Sequence, residues 1–485
     1  MLVMVIGVAI NALGNANPPE SEKSEPETTT AQIALPADAA APKLDYFLVV
    51  MQAQADTSFA RTIMDRNERV SYVFNTLTRH ARTSTESFRA ELDAAAVTYR
   101  QYYIVSSFAI YGDAALRQKL AARADVAYTL DLPSMQPLAD DVLPGGIEPV
   151  IPLEDYTPGE TSWGINHIQA PQVWNELGVR GNGILIGSAD TGVDWTHPDL
   201  KPNYAGKPDN HNYTWYDPWF GSPTPKDFNG HGTHTTGTIA GQNGIGVAPG
   251  AKWIGCVNLG RSYGNAAYYM ECMQFLFAPF PLNASAFQGN PLWGAHIVNN
   301  SWGCPPVEGC NLSVLVAGMK NLSNAGQLNV LAAGNSGPGC STIGNPAFTD
   351  EVLTVGAIGP KLNLMSFSSR GPVLDDGSGR IKPDIAAPGS EILSAFPGGR
   401  YSKSQGTSMA APHVAGVVAL MWSANPALVG KLDATLRILQ NSATPIDIKN
   451  SGIICGGETG VPNNLYGYGI LNAYNAVQQA KQVSR

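Results

Sequence analysis

The stretch Ile184-Leu185-Ile186-Gly187-Ser188-Ala189-Asp190-Thr191-Gly192-Val193 is an apolar run that stops abruptly at an acid and a glycine turn. A run of this kind, with no polar residue in alternation, marks a strand buried on both faces, as in a parallel sheet covered by helices. Similar runs return at 296–300, 329–333 and 351–355, with helical segments between them. From Thr161 onward this order predicts an α/β fold of three layers, α/β/α, around a mostly parallel central sheet. Asp190 then falls at the carboxyl edge of the sheet, where such folds place their sites, although an acid there can equally cap its turn. Asp194 and Asp199, further into the loop, read as surface or turn groups.

Upstream the chain divides by composition. Residues 1–16 begin with an apolar run too short to span a bilayer and end in small and polar residues, which reads as a signal-peptide-like segment and predicts a secreted protein. Residues 17–43 are rich in Pro, Glu, Ser, Thr and Ala and read as a disordered linker. Between 44 and 133 the pattern changes to a strand at 46–51, a helical stretch with Tyr72, Phe74, Leu77, Phe88 and Leu92, and a strand-like run at 99–110. A short helix at 113–123 and a strand at 126–130 follow, with the middle pair of strands merged into the one run. This β-α-β-β-α-β order predicts a small ferredoxin-like α+β domain. Residues 134–160 are again rich in Pro, Gly and acids and read as a second, cleavable linker before a domain at 161–485.

The chain has 485 residues, a formal charge of -9 and 14% charged residues, with no dense basic patch. Phosphate binding requires clustered cations, so nucleic acid is excluded as a partner. No later segment is apolar for long enough to predict a membrane span. Six cysteines fit an oxidising compartment. Cys304 and Cys310 flank a turn-rich loop and form the first expected bridge; Cys256 with Cys272 and Cys340 with Cys455 are the remaining pairing considered, beside buried free thiols.

Two more segments carry chemistry. In Asn229-Gly230-His231-Gly232-Thr233-His234 two histidines stand three apart among small residues. A metal site would need a further acid at zinc-site spacing, whereas small residues suit a helix packed closely on a sheet. His231, at the helix start, is read as a catalytic base and His234 as a packed structural histidine. Gly406-Thr407-Ser408-Met409-Ala410-Ala411-Pro412 opens a buried helix near Ser408, with Pro412 in the first turn. Free N–H groups there suit a developing oxyanion, although Ser at that position is also a common N-cap.

Asp-Thr-Gly at 190–192, His-Gly-Thr-His at 231–234 and Gly-Thr-Ser-Met-Ala at 406–410, in that order, resemble the subtilisin family of serine proteases. The likeness runs from about Trp163 to the C-terminus, and the sequence after Asp199 together with Val247-Ala248-Pro249-Gly250 is similar to the bacillopeptidase F group. The resemblance implies Asp190, His231 and Ser408 as a catalytic triad, with Asn335 and the Ser408 backbone N–H as oxyanion donors. It implies a substrate-binding strand and first pocket at Ser301, Trp302 and Gly303 with Ala332, Ala333 and Gly334. Segments 366–372 and 382–389 are assigned to scaffold. The domain at 44–133 resembles a subtilisin propeptide, which implies a zymogen whose propeptide assists folding and then inhibits the site. Polypeptides are the implied substrates, the acid-free pocket implies broad specificity, no cofactor is required for catalysis, and a monomer is expected. A non-catalytic peptide binder and a selective processing protease are the rival readings. Many relatives bind structural calcium with a longer loop after the catalytic-His helix and the acid equivalent to Asp199; here Gln242-Asn243-Gly244-Ile245-Gly246 is short, so metal is left unassigned.

Overall fold

The computed structural model describes residues 45–132, 159–260, 263–311, 313–448, 455–456 and 460–483. The expected signal segment, the first linker and nearly all of the second, with its maturation cut, lie outside them. Residues 41–485 form one compact unit.

The chain opens with β1 (Asp45–Met51), α1 (Arg66–Thr83), α2 (Glu86–Ala94), β2 (Tyr99–Tyr102), β3 (Ser107–Gly112), α3 (Ala114–Ala121) and β4 (Val126–Asp131). These strands pair antiparallel in the order β2-β3-β1-β4. This is the ferredoxin-like layer expected, with the merged run at 99–110 now resolved into two strands. From Phe47 to Met51 every residue of β1 is apolar and buried, because both faces are covered. Phe47, Val49 and Met51 pack with Phe88, Leu92, Phe108 and Leu120, while Leu48 and Val50 face a second core.

That second core belongs partly to the larger layer. Its elements are α4 (Trp163–His167), α5 (Ala170–Glu176), β5 (Leu185–Asp190), β6 (Trp215–Tyr216), α6 (His231–Ala240), β7 (Lys252–Val257), α7 (Ala266–Phe277) and β8 (Ile297–Asn300). There follow α8 (Val314–Asn324), β9 (Leu328–Ala332), β10 (Leu353–Ile358), β11 (Ile385–Pro388), β12 (Ile392–Phe396), β13 (Arg400–Ser404), α9 (Thr407–Ala424), α10 (Leu432–Ser442) and α11 (Ala473–Gln482). Seven parallel strands run in the order β11-β10-β9-β8-β5-β7-β6. Helices α6, α9 and α11 share one core with one face of this sheet, and α7 and α8 lie in the cores of the other face. The architecture is the three-layer α/β/α predicted, and α7 and α8 also carry the leading layer on Met273, Leu315, Met319 and Leu322.

Helix α9 is buried nearly all round, as its composition requires. Pro412 is its sixth residue and so lies in the second turn, not the first. A proline there cannot donate to the carbonyl four residues back, that of Ser408. The freed Ser408 carbonyl accepts from Ser301 Oγ instead, at 2.8 Å. All three disulfides follow the pairing considered from sequence: Cys256–Cys272, Cys304–Cys310 and Cys340–Cys455.

Candidate active site

Asp190 ends β5, flanked by β8 and β7, and is buried. Its Oδ1 accepts from Thr191 N and from His231 Nδ1, both at 2.7 Å, and its Oδ2 accepts from Thr235 Oγ1 at 3.1 Å. Two glycines make this approach sterically feasible. Gly192 turns the chain with φ +111, and a Cβ on it or on Gly232 would run into a backbone carbonyl, that of Lys226 or of Gly192 respectively.

His231 is the first residue of α6, its side chain 16% exposed. The preceding Gly230 offers no capping side chain, and Asp227 does that work. Asp227 Oδ1 accepts from Gly230 N at 2.7 Å, Asn229 N at 3.0 Å and Thr191 Oγ1 at 2.9 Å, and Oδ2 accepts from Thr233 N at 2.8 Å and Thr233 Oγ1 at 2.6 Å. Burial disfavours the imidazolium, but Asp190, and more weakly Asp227, outweigh it and raise the His231 pKa above 6.5. With Nδ1–H donated to Asp190, Nε2 is left with its lone pair.

Ser408 stands in the first turn of α9, and α6 and α9 pack on one another with both N-termini at the carboxyl edge of the sheet. Its Oγ donates to the Ser301 carbonyl at 3.1 Å, and among the described residues no hydrogen bond joins it to His231. The triad that the family resemblance implies includes that bond. A hydroxyl turns about a single bond, so this is one rotamer of the serine, and such contacts tighten when substrate is bound.

Asn335 follows β9 through Gly334, which has φ +105. Its Oδ1 accepts from Thr407 N and Thr407 Oγ1, both at 2.9 Å, which frees Nδ2. The point beside Gly406 where a Cβ would stand is 3.4 Å from Asn335 Nδ2 and 3.6 Å from Ser408 N, so the two donors border one small gap. Thr407 Oγ1 also accepts from Gly334 N at 3.1 Å.

Ser301, Trp302 and Gly303 prolong β8, and Ala332 closes β9 with Ala333 and Gly334 beyond it. Trp302 contributes backbone only, because its indole is buried and stacked on Tyr269. None of the six carries a charge. His234 bonds the Ile392 and Ser402 carbonyls at 2.9 and 3.1 Å, and burial pushes it down to about 4. It is the structural histidine expected. In the scaffold segment, buried Lys382 donates to Asp384 Oδ2 at 2.7 Å.

Of the two expectations for Asp199, surface or turn, the turn holds: Asp199 lies in one but is buried, and its two oxygens accept from Asn243 Nδ2 at 2.6 Å and Tyr401 OH at 2.7 Å. A calcium cage needs several oxygen ligands on the ion, so a carboxylate already holding an amide and a phenol does not fit one. Among the described residues no cluster of three or more His, Cys, Asp or Glu stands in metal-binding arrangement, and no helix is long and apolar enough to cross a membrane.

Sequence reasoning missed Asp227, Thr407 and Thr235. Each acts through hydrogen bonds to a neighbour's backbone or side chain, and only Asp227, four residues before His231, carried a local signal, as an acid placed to cap a helix.

A parallel sheet whose carboxyl edge carries an acid, a histidine and a serine in the chain order Asp190, His231, Ser408 has the arrangement of the subtilisin-like serine hydrolases. Residues 181–469 match the subtilase family, peptidase S8, and the chain belongs to that family. It is 35% identical over 395 residues to bacillopeptidase F of Bacillus subtilis (strain 168), a match covering 78% of this chain and 26% of that protein. It is also 35% identical to subtilisin Savinase of Lederbergia lenta, over 65% of this chain and 98% of that one. The major intracellular serine protease of Bacillus subtilis (strain 168) is 36% identical over 54% of this chain and 74% of its own.

Proposed function

We propose that the chain is a serine endopeptidase, with Ser408 as nucleophile, His231 as general base and Asp190 as the carboxylate that orients it. The observation that carries the reading is the 2.7 Å hydrogen bond from His231 Nδ1 to a buried Asp190, supported by the two N–H donors that border the gap at Gly406. Ser408 Oγ attacks the scissile carbonyl carbon as its proton passes to His231 Nε2. The oxyanion so formed takes hydrogen bonds from Asn335 Nδ2 and Ser408 N. Collapse breaks the C–N bond, and His231 protonates the departing amine. Water, deprotonated by the same imidazole, then hydrolyses the acyl ester and restores Ser408.

The layer at 45–132 is read as the propeptide of a zymogen, supported by its ferredoxin-like order and its seat on α7 and α8. Three disulfides support an exported protein. Uncharged side chains at Ser301, Trp302, Gly303, Ala332, Ala333 and Gly334 support broad cleavage beside apolar or aromatic residues. Reaction of the processed protein with an organophosphonate tests the catalytic reading: an adduct on Ser408 is expected, and its absence would favour a peptide binder that does not cut. Mass spectrometry of wild type beside Ser408→Ala tests self-processing, since the variant should keep the residues before about 160. A peptide profile dominated by Arg or Lys would overturn the broad specificity.

A further inference from the structure

The disulfide loop that follows Gly303 carries a buried carboxylate outside the Asp190, His231, Ser408 chain. Glu308 is 5% exposed, and its Oε2 accepts from Tyr269 OH at 2.7 Å while its Oε1 accepts from Gly264 N at 3.1 Å. Burial pushes its carboxyl up to about 7, although both hydrogen bonds pull the other way. Tyr269, on α7, lies flat on the Trp302 indole with ring centroids 4.0 Å apart and planes at 13°. Its hydroxyl also lies 3.3 Å from the Gly303 carbonyl, but the shorter bond goes to Glu308. Gly264 is required at its position, because a Cβ there would run into the Tyr269 hydroxyl.

These contacts join two segments that flank the end of β5. Strand β5 stops at Asp190, while the chain continues beyond β8 as Ser301 to Gly303 and beyond β7 as Asn258 to Gly260, with Tyr263 and Gly264 following. Gly260 and Tyr263 exchange backbone hydrogen bonds of 2.7 and 3.2 Å. Neighbouring strands stand about 4.8 Å apart, so two continuations separated by one missing strand leave a slot of about 10 Å. One extended peptide fits the width of such a slot, with the two continuations as its banks.

We propose that Glu308 is a positioning residue that, through Tyr269 and Gly264, ties the two banks at the width of one peptide strand and so governs binding of substrate residues upstream of the scissile bond. It touches neither the substrate nor the reacting atoms. The inference rests on the endopeptidase reading above. The disulfide Cys304–Cys310 closes the loop that presents Glu308, and the stacked Tyr269 and Trp302 rings hold the clasp against the Ser301 bank.

The test compares two substrates on the processed enzyme, a tetrapeptide anilide that occupies the slot and a single-residue acyl ester that does not. Glu308→Ala should raise KM for the tetrapeptide about tenfold, the worth of one hydrogen bond to a charged group, with kcat unchanged. Its kcat/KM for the ester should stay within about twofold of wild type, and Glu308→Gln, which keeps an acceptor for Gly264 N, should recover most of the tetrapeptide KM. Should Glu308→Ala fail to accumulate, Tyr269→Phe decides, since it keeps the ring stack and removes only the hydroxyl. Equal losses on both substrates, or a loss in kcat alone, would overturn the inference. A wild-type protein that cleaves neither substrate would sink the endopeptidase reading instead.

Discussion

His231 sits between two carboxylates that act on it differently. Burial works against its imidazolium, yet Asp190, bonded to Nδ1, and Asp227, bonded to the backbone around it, bring its pKa above 6.5. Only the neutral ring accepts the serine proton, so kcat/KM should rise with pH to a plateau, with a midpoint above 6.5. The stability linkage has the opposite sign: this histidine's contribution is full below its unfolded pKa and fades as pH climbs through the folded value. Asp227→Asn removes one of the two negative charges and should lower the midpoint of the kcat/KM profile; an unmoved midpoint would show that Asp227 acts only as a cap. Asn335→Ala removes one of the two donors at the gap beside Gly406. Its kcat should fall about 10²- to 10³-fold with KM little changed, as the loss of one oxyanion donor does in subtilisin. A fall confined to KM would place Asn335 in substrate binding instead.

Strands and helices were legible where the requirement was local. An acid ending an apolar run, and His or Ser opening a run of small residues, place Asp190 at a strand end and His231 and Ser408 at helix starts, but Asp190 and Ser408 read equally as caps, and only the resemblance to the subtilisin family joined the three as a triad. Less legible were the places where one element completes another. Residues 99–110 read as one strand because the turn between β2 and β3 is itself apolar, and the structure gives the reason. Tyr103, Ile104 and Val105 are buried, and their backbone is satisfied by the larger layer: Gln274 Oε1 accepts from Tyr103 N at 2.6 Å and Ile104 N at 3.2 Å, and Asn321 Nδ2 donates to the Ile104 carbonyl at 2.8 Å. The burial of Asp199 within its turn was hidden for the same reason, since Tyr401, its partner, is distant in sequence. Strand β2 also supplies Arg100, which pairs with the buried Glu271 of α7, whose other oxygen accepts from Tyr102 OH at 3.1 Å. Removing one member of such a pair strands the other charge away from water. Under the zymogen reading, Arg100→Met should therefore speed release of the cleaved leading layer at least about tenfold, measured as a shortened lag before full activity. An unchanged lag would mean that the apolar face of α7 and α8 alone governs release.

Across the molecule the three disulfides close loops of very different length, and that difference separates their roles. Cys340–Cys455 spans 115 residues, Cys256–Cys272 spans 16 and Cys304–Cys310 spans 6. Loop-closure entropy in the unfolded chain then ranks them at about 4.8, 3.1 and 2.2 kcal/mol at 25 °C, upper bounds because unfolded chains keep some structure. Cys340–Cys455 ties the loop after Asn335 to the segment whose backbone carbonyls accept from Asn464. The double variant Cys340→Ser/Cys455→Ser should lower the thermal midpoint most. Cys304→Ser/Cys310→Ser should lower it least, yet should raise KM for extended peptides, because its loop carries Glu308 beside the substrate strand. Thermal unfolding of the three double variants, followed by kinetics on the folded fraction, reads both quantities. If the six-residue bridge proved the most stabilising, or left KM untouched, the separation of stability from positioning would be wrong. The bridge would then hold the fold together and not the groove.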